Sequence, residues 1–315
     1  MRTPIVAAPA PALLVLVLAL VLVFASACRR EPSPGGAPPG PSATVATAGF
    51  PARAPDGRGR VVVVPASPRR IVALLPSHTE TLFALGVGDR VVGVDDFSDY
   101  PAEASRLPKL GGAYGTQLES VLALKPDLVL LSESSRAAET LEQAGVTVWA
   151  GSARRFDEIF TVIDAIGSLV GRSAEAKSLD ERIRVDVASV EDALRGTMRA
   201  TVYYELDATP YSVGPASFIG VLLTKAGGIN IIPASLGDFP KISPEIVVSS
   251  NPSVIVGPSL EEVAARPGWS NLDAVRSRRV YRLSASEADL VGRPGPRIAE
   301  ALRALARRLH PELSL

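Results

Sequence analysis

The sequence predicts an α/β protein of two similar lobes with parallel sheets, joined by a long helical segment and facing each other across a cleft. Three observations carry that expectation. First, continuous Val/Ile/Leu runs alternate with helical spacing: strands fit Ile71 to Leu75, Val91 to Val94, Leu128 to Leu131, Val146 to Trp149, Thr201 to Tyr204, Val254 to Val256 and Val280 to Leu283. Unbroken apolar runs separated by helices mark buried parallel sheets covered on both faces. Second, Phe156 to Leu194 carries no strand signal, only helical spacing, interrupted near Gly171, so two helices are expected there. Third, the halves echo each other: Glu119-Ser-Val-Leu-Ala-Leu-Lys-Pro126-Asp-Leu-Val129 is matched by Glu245-Ile-Val-Val-Ser-Ser-Asn-Pro252-Ser-Val-Ile255. Both read acid, helix, proline stop, buried strand. The lobes are therefore expected to be Rossmann-like, with ligands sitting outside the carboxyl ends of the strands.

Five segments follow in order. Residues 1–27 read as an export signal, because Met1-Arg2 leads into an apolar run from Ala12 to Phe24 that ends in Ala25-Ser26-Ala27 before Cys28. A retained anchor helix is the alternative, though the run is shorter than the ~20 residues that span a bilayer. Cys28 is the sole cysteine, so an intramolecular disulfide is impossible. Ala25-Ser26-Ala27-Cys28 resembles a bacterial lipoprotein lipobox, with Ala25 where that pattern usually has Leu, and implies lipidation of Cys28; an unmodified thiol is the other reading. Residues 28–60, rich in Pro, Gly and Ala, read as a disordered tether able to reach roughly 100 Å at ~3.3 Å per residue. Residues 61–152 form the N-terminal lobe, 153–172 the inter-lobe helix and 173–315 the C-terminal lobe.

Composition excludes several functions. Basic and acidic residues balance at 33 each, leaving no field to hold nucleic acid. Two histidines and one cysteine cannot build a His/Cys metal cluster. No G-x-S-x-G elbow or Gly-Lys-Ser/Thr phosphate loop is present, and Gly86-Val87-Gly88 follows a helix instead of opening one. The expectation is a binding protein, with no catalytic residues, no resident cofactor and no metal site.

Candidate binding residues lie where strands hand over to helices. His78 stands at such a junction in Ser77-His78-Thr79-Glu80, either as a locally hydrogen-bonded loop histidine or as a contact to a metal-containing ligand. His310 closes the last helix, where a cation suits the dipole. Phe97, Tyr100, Tyr114 and Phe239 fall in loops of a chain with only 5% aromatics, which points to a large, flat, partly apolar ligand or to aromatics plugging loop bases. Glu119 and Glu245 open matching helices, Glu119 as a capping box with Thr116 and Glu245 as a first-turn acid after Ser243. The other reading gives each lobe one carboxylate for arginines on a two-fold membrane partner.

Together the motifs resemble the ABC-transporter solute-binding proteins with a helical backbone that bind vitamin B12, ferric siderophores and haem. Its carriers are Arg70-Ile-Val-Ala-Leu-Leu-Pro-Ser-His-Thr-Glu-Thr-Leu-Phe-Ala-Leu-Gly86, Val92-Gly-Val-Asp-Asp-Phe-Ser-Asp-Tyr-Pro101, Leu118 to Val129 and Arg293-Pro-Gly-Pro-Arg297, within a similarity spanning Arg69 to Glu312. Phe97 to Pro101 and the Arg293 segment are most similar to the cobalamin-binding branch. That resemblance implies a corrinoid held between the lobes as transported ligand, with Phe97, Tyr114 and Phe239 as aromatic contacts; Tyr100, Glu287, Arg293 and His78, which stands where the family often has another residue, complete the candidate ligand-binding set. Glu287 stands in Ser284-Ala-Ser-Glu287-Ala-Asp289-Leu290, where the branch can carry an Asp-Trp-Phe segment. The resemblance further implies permease docking through Glu119 and Glu245, small hinge motion, and an exported, lipid-anchored location in the periplasm or on the outer face of the cytoplasmic membrane. Haem or a ferric siderophore is the alternative ligand, and Arg293 and Arg297 suit it. A ligand sensor without transport and a nitrogenase-like metalloenzyme are the readings from other classes.

Overall fold

A computed structural model describes residues 49–112 and 115–313. The segment read as an export signal, Cys28, the stretch read as a tether up to residue 48, and Tyr114 lie outside the described residues. The chain opens with strands β1 (Ala52–Pro55) and β2 (Val61–Val64). The first lobe runs β3 (Ile71–Ala73), α1 (Pro76–Ala84), β4 (Val91–Val94), α2 (Leu118–Ala123), β5 (Leu128–Leu131), α3 (Ala137–Gln143) and β6 (Val148–Ala150). Two helices follow, α4 (Glu158–Leu169) and α5 (Ser173–Ala193). The second lobe holds β7 (Ala200–Asp207), β8 (Tyr211–Ser212), α6 (Phe218–Lys225), β9 (Gly228–Asn230), α7 (Pro244–Ser250), β10 (Val254–Gly257), α8 (Leu260–Ala264), α9 (Asp273–Arg276), β11 (Val280–Arg282), α10 (Ala285–Gly292) and α11 (Ile298–Leu309).

The first-lobe sheet is ordered β4-β3-β5-β6 and is wholly parallel. The second is ordered β9-β7-β10-β11, also parallel, with β8 added antiparallel along the end of β7. Numbered from its own start, each lobe reads second-first-third-fourth, so the lobes share one topology. The sequence echo falls on equivalent units, α2 to β5 and α7 to β10. It extends to the backbone, because Lys125 (φ 46°) and Asn251 (φ 40°) both turn left-handed just before Pro126 and Pro252. A left-handed residue ends the helix and proline prevents its continuation.

Alternation along each strand sorts side chains between cores. Ile71, Ala73, Leu128 and Leu130 face an inner core, whereas Val72, Leu74, Val129 and Leu131 face an outer one. In the second lobe Val202, Tyr204, Val254 and Val256 join that same inner core, and Tyr203 and Ile255 face a separate outer one. One inner core therefore serves both lobes, filled by α4, α5, α6 and α11.

The expected inter-lobe helix at 153–172 needs correction. Gly171 (φ 72°) breaks the segment, as the spacing implies, but α4 packs on α1 and β1 and belongs to the first lobe. The crossing is made by α5, which packs against α4 on one side and α11 on the other. Its buried residues Ala176, Leu179, Ile183, Val187 and Val190 recur at helical spacing. Gly167 permits the close approach, since a Cβ there would lie 2.5 Å from that of Ala176.

The expectation of a tether reaching residue 60 also needs correction, because residues 52–60 belong to a hairpin in which β1 pairs antiparallel with β2. The Trp149 indole donates to the Pro55 carbonyl (2.8 Å), the Gly57 N–H to Ala150 (2.7 Å) and the Ser168 hydroxyl to Arg53 (3.2 Å). Pro51, Pro55, Gly57 and Gly59 give this stretch a linker's composition, and its partners come about a hundred residues later in the chain. A protein starting at Val61 should be less stable than one starting at Gly49. Three lost hydrogen bonds at ~1 kcal/mol each predict roughly 3 kcal/mol, read as a drop of several degrees in thermal unfolding.

Within α5, Asp180 is buried with Oδ1 unpartnered. Burial, then the nearby charge of Asp164 on α4, pushes its carboxyl up to about 7, against the opposing pull of Arg184. The folded state thus holds a proton that the unfolded state has released, so this group's stabilising contribution is full below its unfolded pKa near 4 and is lost as pH rises toward 7. Asp180→Asn should flatten that fall and raise the melting temperature above pH 7 by about 2 °C, the scale of ~1 kcal/mol in a domain of this size.

Candidate functional site

The carboxyl ends of both sheets open toward the space between the lobes, at the switch points beside β3 and β7. A cavity of about 310 Å³ lies there, lined by Leu75, Ser77, Phe97 and Ser152 from the first lobe and by Ala288, Asp289 and Arg293 from the second. It adjoins a hollow of about 490 Å³ over the ends of β7, β10 and β11, with Ala288 and Gly292 lining both. Phe97 is 67% exposed, an unusual state for a large apolar ring.

Arg293, just after α10, reaches across to the first lobe. Its guanidinium pairs with Asp99 (2.7 Å) and Glu80 (3.3 Å), donates to the Phe97 carbonyl (3.0 Å), and is anchored on its own side by Asp289 (3.0 Å). Only 10% of the Arg293 side chain and 3% of that of Glu80 remain exposed. Burial pushes the Glu80 carboxyl above its ordinary range, and the charges of Arg297 and Arg293 pull it only part of the way back. For Asp99 burial acts upward too, but the Arg293 hydrogen bond and charge outweigh it and hold the carboxyl low. Arg297 stacks over the Tyr100 ring (3.7 Å).

Three further arginines near the cleft are likewise engaged. Arg266 makes a two-pronged pair with the buried Glu205 at the end of β7 (2.5 and 2.7 Å) and lies over Trp269. Tyr203 donates to the same carboxylate (3.1 Å), and burial, then that adjacent charge, pushes its phenol well up. Arg282 pairs with Glu262 (3.2 Å) and Arg154 with Glu133 (3.3 Å).

Among the residues the sequence singled out, Phe97 and Arg293 meet in the inter-lobe cavity. Tyr100 lines a neighbouring groove of about 710 Å³ with Arg297 and Leu179, beyond Glu80. Phe239 is exposed on the second lobe, in the loop between β9 and α7. His78 requires correction: it is 0% exposed and sits within α1, its ring 5.5 Å from that of Trp149. Burial drives its pKa down to about 4, so it is a neutral core residue that a ligand in the cleft cannot reach. Glu287 requires correction too. It caps α10 with Ser284 and pairs with Arg308 on α11, which occupies its carboxylate away from the cavity. His310 is also buried, at the end of α11.

Glu119 and Glu245 are both exposed, each in the first turn of a helix that starts at the carboxyl edge of its sheet. The Thr116 capping box does not form, since the Thr116 hydroxyl bonds to the Gly112 carbonyl instead. Ser243 donates to Glu245, and that bond holds the carboxyl below its ordinary value. The sequence reading missed Glu80, Asp99, Glu205, Arg266 and Asp289. Glu205 carried a signal, an acid at the end of a buried strand, whereas its partner lies 61 residues away.

Two lobes of one parallel topology, a strap helix and a cleft at the strand ends define a two-lobed binding protein, and the chain belongs to the periplasmic binding protein family, whose profile matches residues 71–287. It is 33% identical over 277 residues to an uncharacterised ABC transporter substrate-binding lipoprotein, YvrC, of Bacillus subtilis, covering 84% of this chain and 87% of that one. It is 33% identical over 276 residues to a cobalamin-binding protein of Halobacterium salinarum, covering 83% and 74%. Its fold superposes on the periplasmic haem-binding protein RhuT from Roseiflexus sp. RS-1 with a TM-score of 0.69 at 28% identity, covering 77% and 98%. The chain is a substrate-binding protein of the kind that serves ABC transporters, and not an enzyme.

Arg266→Met would strand the Glu205 carboxylate in its buried position and should cost ~3 kcal/mol in denaturant unfolding. Adding Glu205→Gln should recover part of that loss.

Proposed function

We propose that the protein captures cobalamin or a related corrinoid in the inter-lobe cleft and delivers it to an ABC permease. The observation that carries this reading is the chemistry of the cleft walls: Phe97 is exposed in the cavity, while Arg293, Arg266 and Arg282 are already engaged by protein carboxylates. A macrocycle with neutral amide arms suits apolar contact and dipolar hydrogen bonds, whereas the carboxylates of haem or the charged groups of a siderophore call for uncommitted cations. Burial of His78 removes the residue best suited to ligate haem iron. The similarity to the Halobacterium cobalamin-binding protein supports the same choice.

Haem or a ferric siderophore is the second reading. It is favoured by the exposed Arg136, which lines a hollow of about 600 Å³ on the first lobe with Thr116 and Ser134, and by the likeness to RhuT. Export, lipidation at Cys28 and residence outside the cytoplasmic membrane complete the proposal, supported by the lipoprotein name of the Bacillus relative. Docking on the permease is assigned to Glu119 and Glu245, one exposed carboxylate per lobe at equivalent positions.

Visible absorption titration with cyanocobalamin, cobinamide and haemin tests the ligand: one-to-one corrinoid binding is expected, and binding of haemin alone would overturn the choice. Replacing both docking acids, Glu119→Arg with Glu245→Arg, should leave affinity in solution unchanged and lower cellular corrinoid uptake by more than about tenfold. Unchanged uptake would turn the protein into a sensor.

A further inference from the structure

Phe97 combines two properties that rarely coincide. The residue lines the inter-lobe cavity and is 67% exposed, yet its backbone is held at both ends. The Phe97 N–H donates to the buried Asp95 carboxylate (2.8 Å), which also accepts from the Ser98 hydroxyl (2.5 Å). Ser98 is in turn tied to Thr79 on α1 (2.8 Å) and through its carbonyl to the Lys109 ammonium (2.5 Å). All of these are first-lobe groups. The Phe97 carbonyl is different, because its donor is Arg293 of the second lobe (3.0 Å).

We propose that Arg293 is a positioning residue of the binding site: it acts through the Phe97 backbone, clamping an exposed aromatic against the ligand from the opposite lobe, and does not itself contact the ligand. Three carboxylates, Asp99, Glu80 and Asp289, surround its guanidinium, Glu80 being shared with Arg297 (3.8 Å), so its charge is compensated before any ligand arrives. Its planar fork serves the Asp99 carboxylate, the Phe97 carbonyl and Asp289 together, which the point charge of a lysine cannot do. The arrangement couples the lobe spacing to the ring's position, so ligand shape is read by a wall that belongs to both lobes. This assignment deepens the corrinoid reading and rests on it for its ligand-dependent half.

The test uses the whole protein and the variants Arg293→Lys, Phe97→Ala and their combination, with Asp99→Asn as the second probe should Arg293→Lys fold poorly. In the ligand-free protein, hydrogen exchange at the Phe97 and Ser98 amides should speed up more than about tenfold in Arg293→Lys or Asp99→Asn, while β3 and β5 stay protected. Unchanged exchange there overturns the proposal whatever the ligand is. With cyanocobalamin, Arg293→Lys and Phe97→Ala should each weaken binding about tenfold, and the double variant should be no worse than Phe97→Ala alone. Losses that multiply would show Arg293 touching the ligand directly and would also overturn the assignment. Faster exchange with no corrinoid bound by the parent protein would sink the ligand reading while leaving the clamp in place.

Discussion

Everything in this molecule depends on one inner core that two lobes share. Alternate residues of β3, β5, β7 and β10 point into it, and α4, α5 and α11 fill it. A two-lobed protein with separate cores joined by a flexible linker opens and closes as its default. Here apolar burial runs without a break from one sheet through α5 to the other, so separating the lobes means exposing side chains such as Ile183 and Val187 to water. The cleft is set by that packing, and its width follows from where α5 holds the two sheets.

Polar groups reinforce the same constraint at the rim. Arg293 and Arg297 leave the second lobe to meet Glu80, Asp99 and Tyr100 of the first, and Arg155 donates to the Ala216 carbonyl across the lobes (3.1 Å). Buried ion pairs of this kind contribute little net stability, since desolvation offsets their attraction, but they penalise any arrangement that breaks them. They define geometry more than they add to stability. The same pairing settles the chemical character of the cavity: Asp289 and Arg293 neutralise each other in the wall, and the exposed apolar surface of Phe97 stands out against it.

The most readable parts of the sequence were the strands, because a strand buried on both faces needs an unbroken apolar run whatever surrounds it. The helix break at Gly171 and the repeated helix-proline-strand unit were legible for the same local reason. Less legible were the elements whose stability is borrowed. The β1–β2 hairpin has only Ala52 and Ala54 to bury from its first strand, and it exists because Trp149 and α4 receive it. His78 shows the opposite failure. Its position at a strand-to-helix junction suggests a ligand-facing loop, but α1 begins at Pro76 and turns the ring inward onto Trp149.

The sequence by itself determined the class, two α/β lobes of one pattern with a helical connection, because strand and helix periods are written in residues close together along the chain. It also singled out Phe97 and Arg293 as candidates, through motifs that resemble a known family. Only the tertiary structure decided which acids hold Arg293, that His78 is buried within α1 and that Glu287 caps α10. Those outcomes depend on contacts between residues 20 to more than 200 positions apart, such as Glu80 with Arg293 and Glu287 with Arg308. Such contacts are set by how the sheets and α5 pack, and no local period records them.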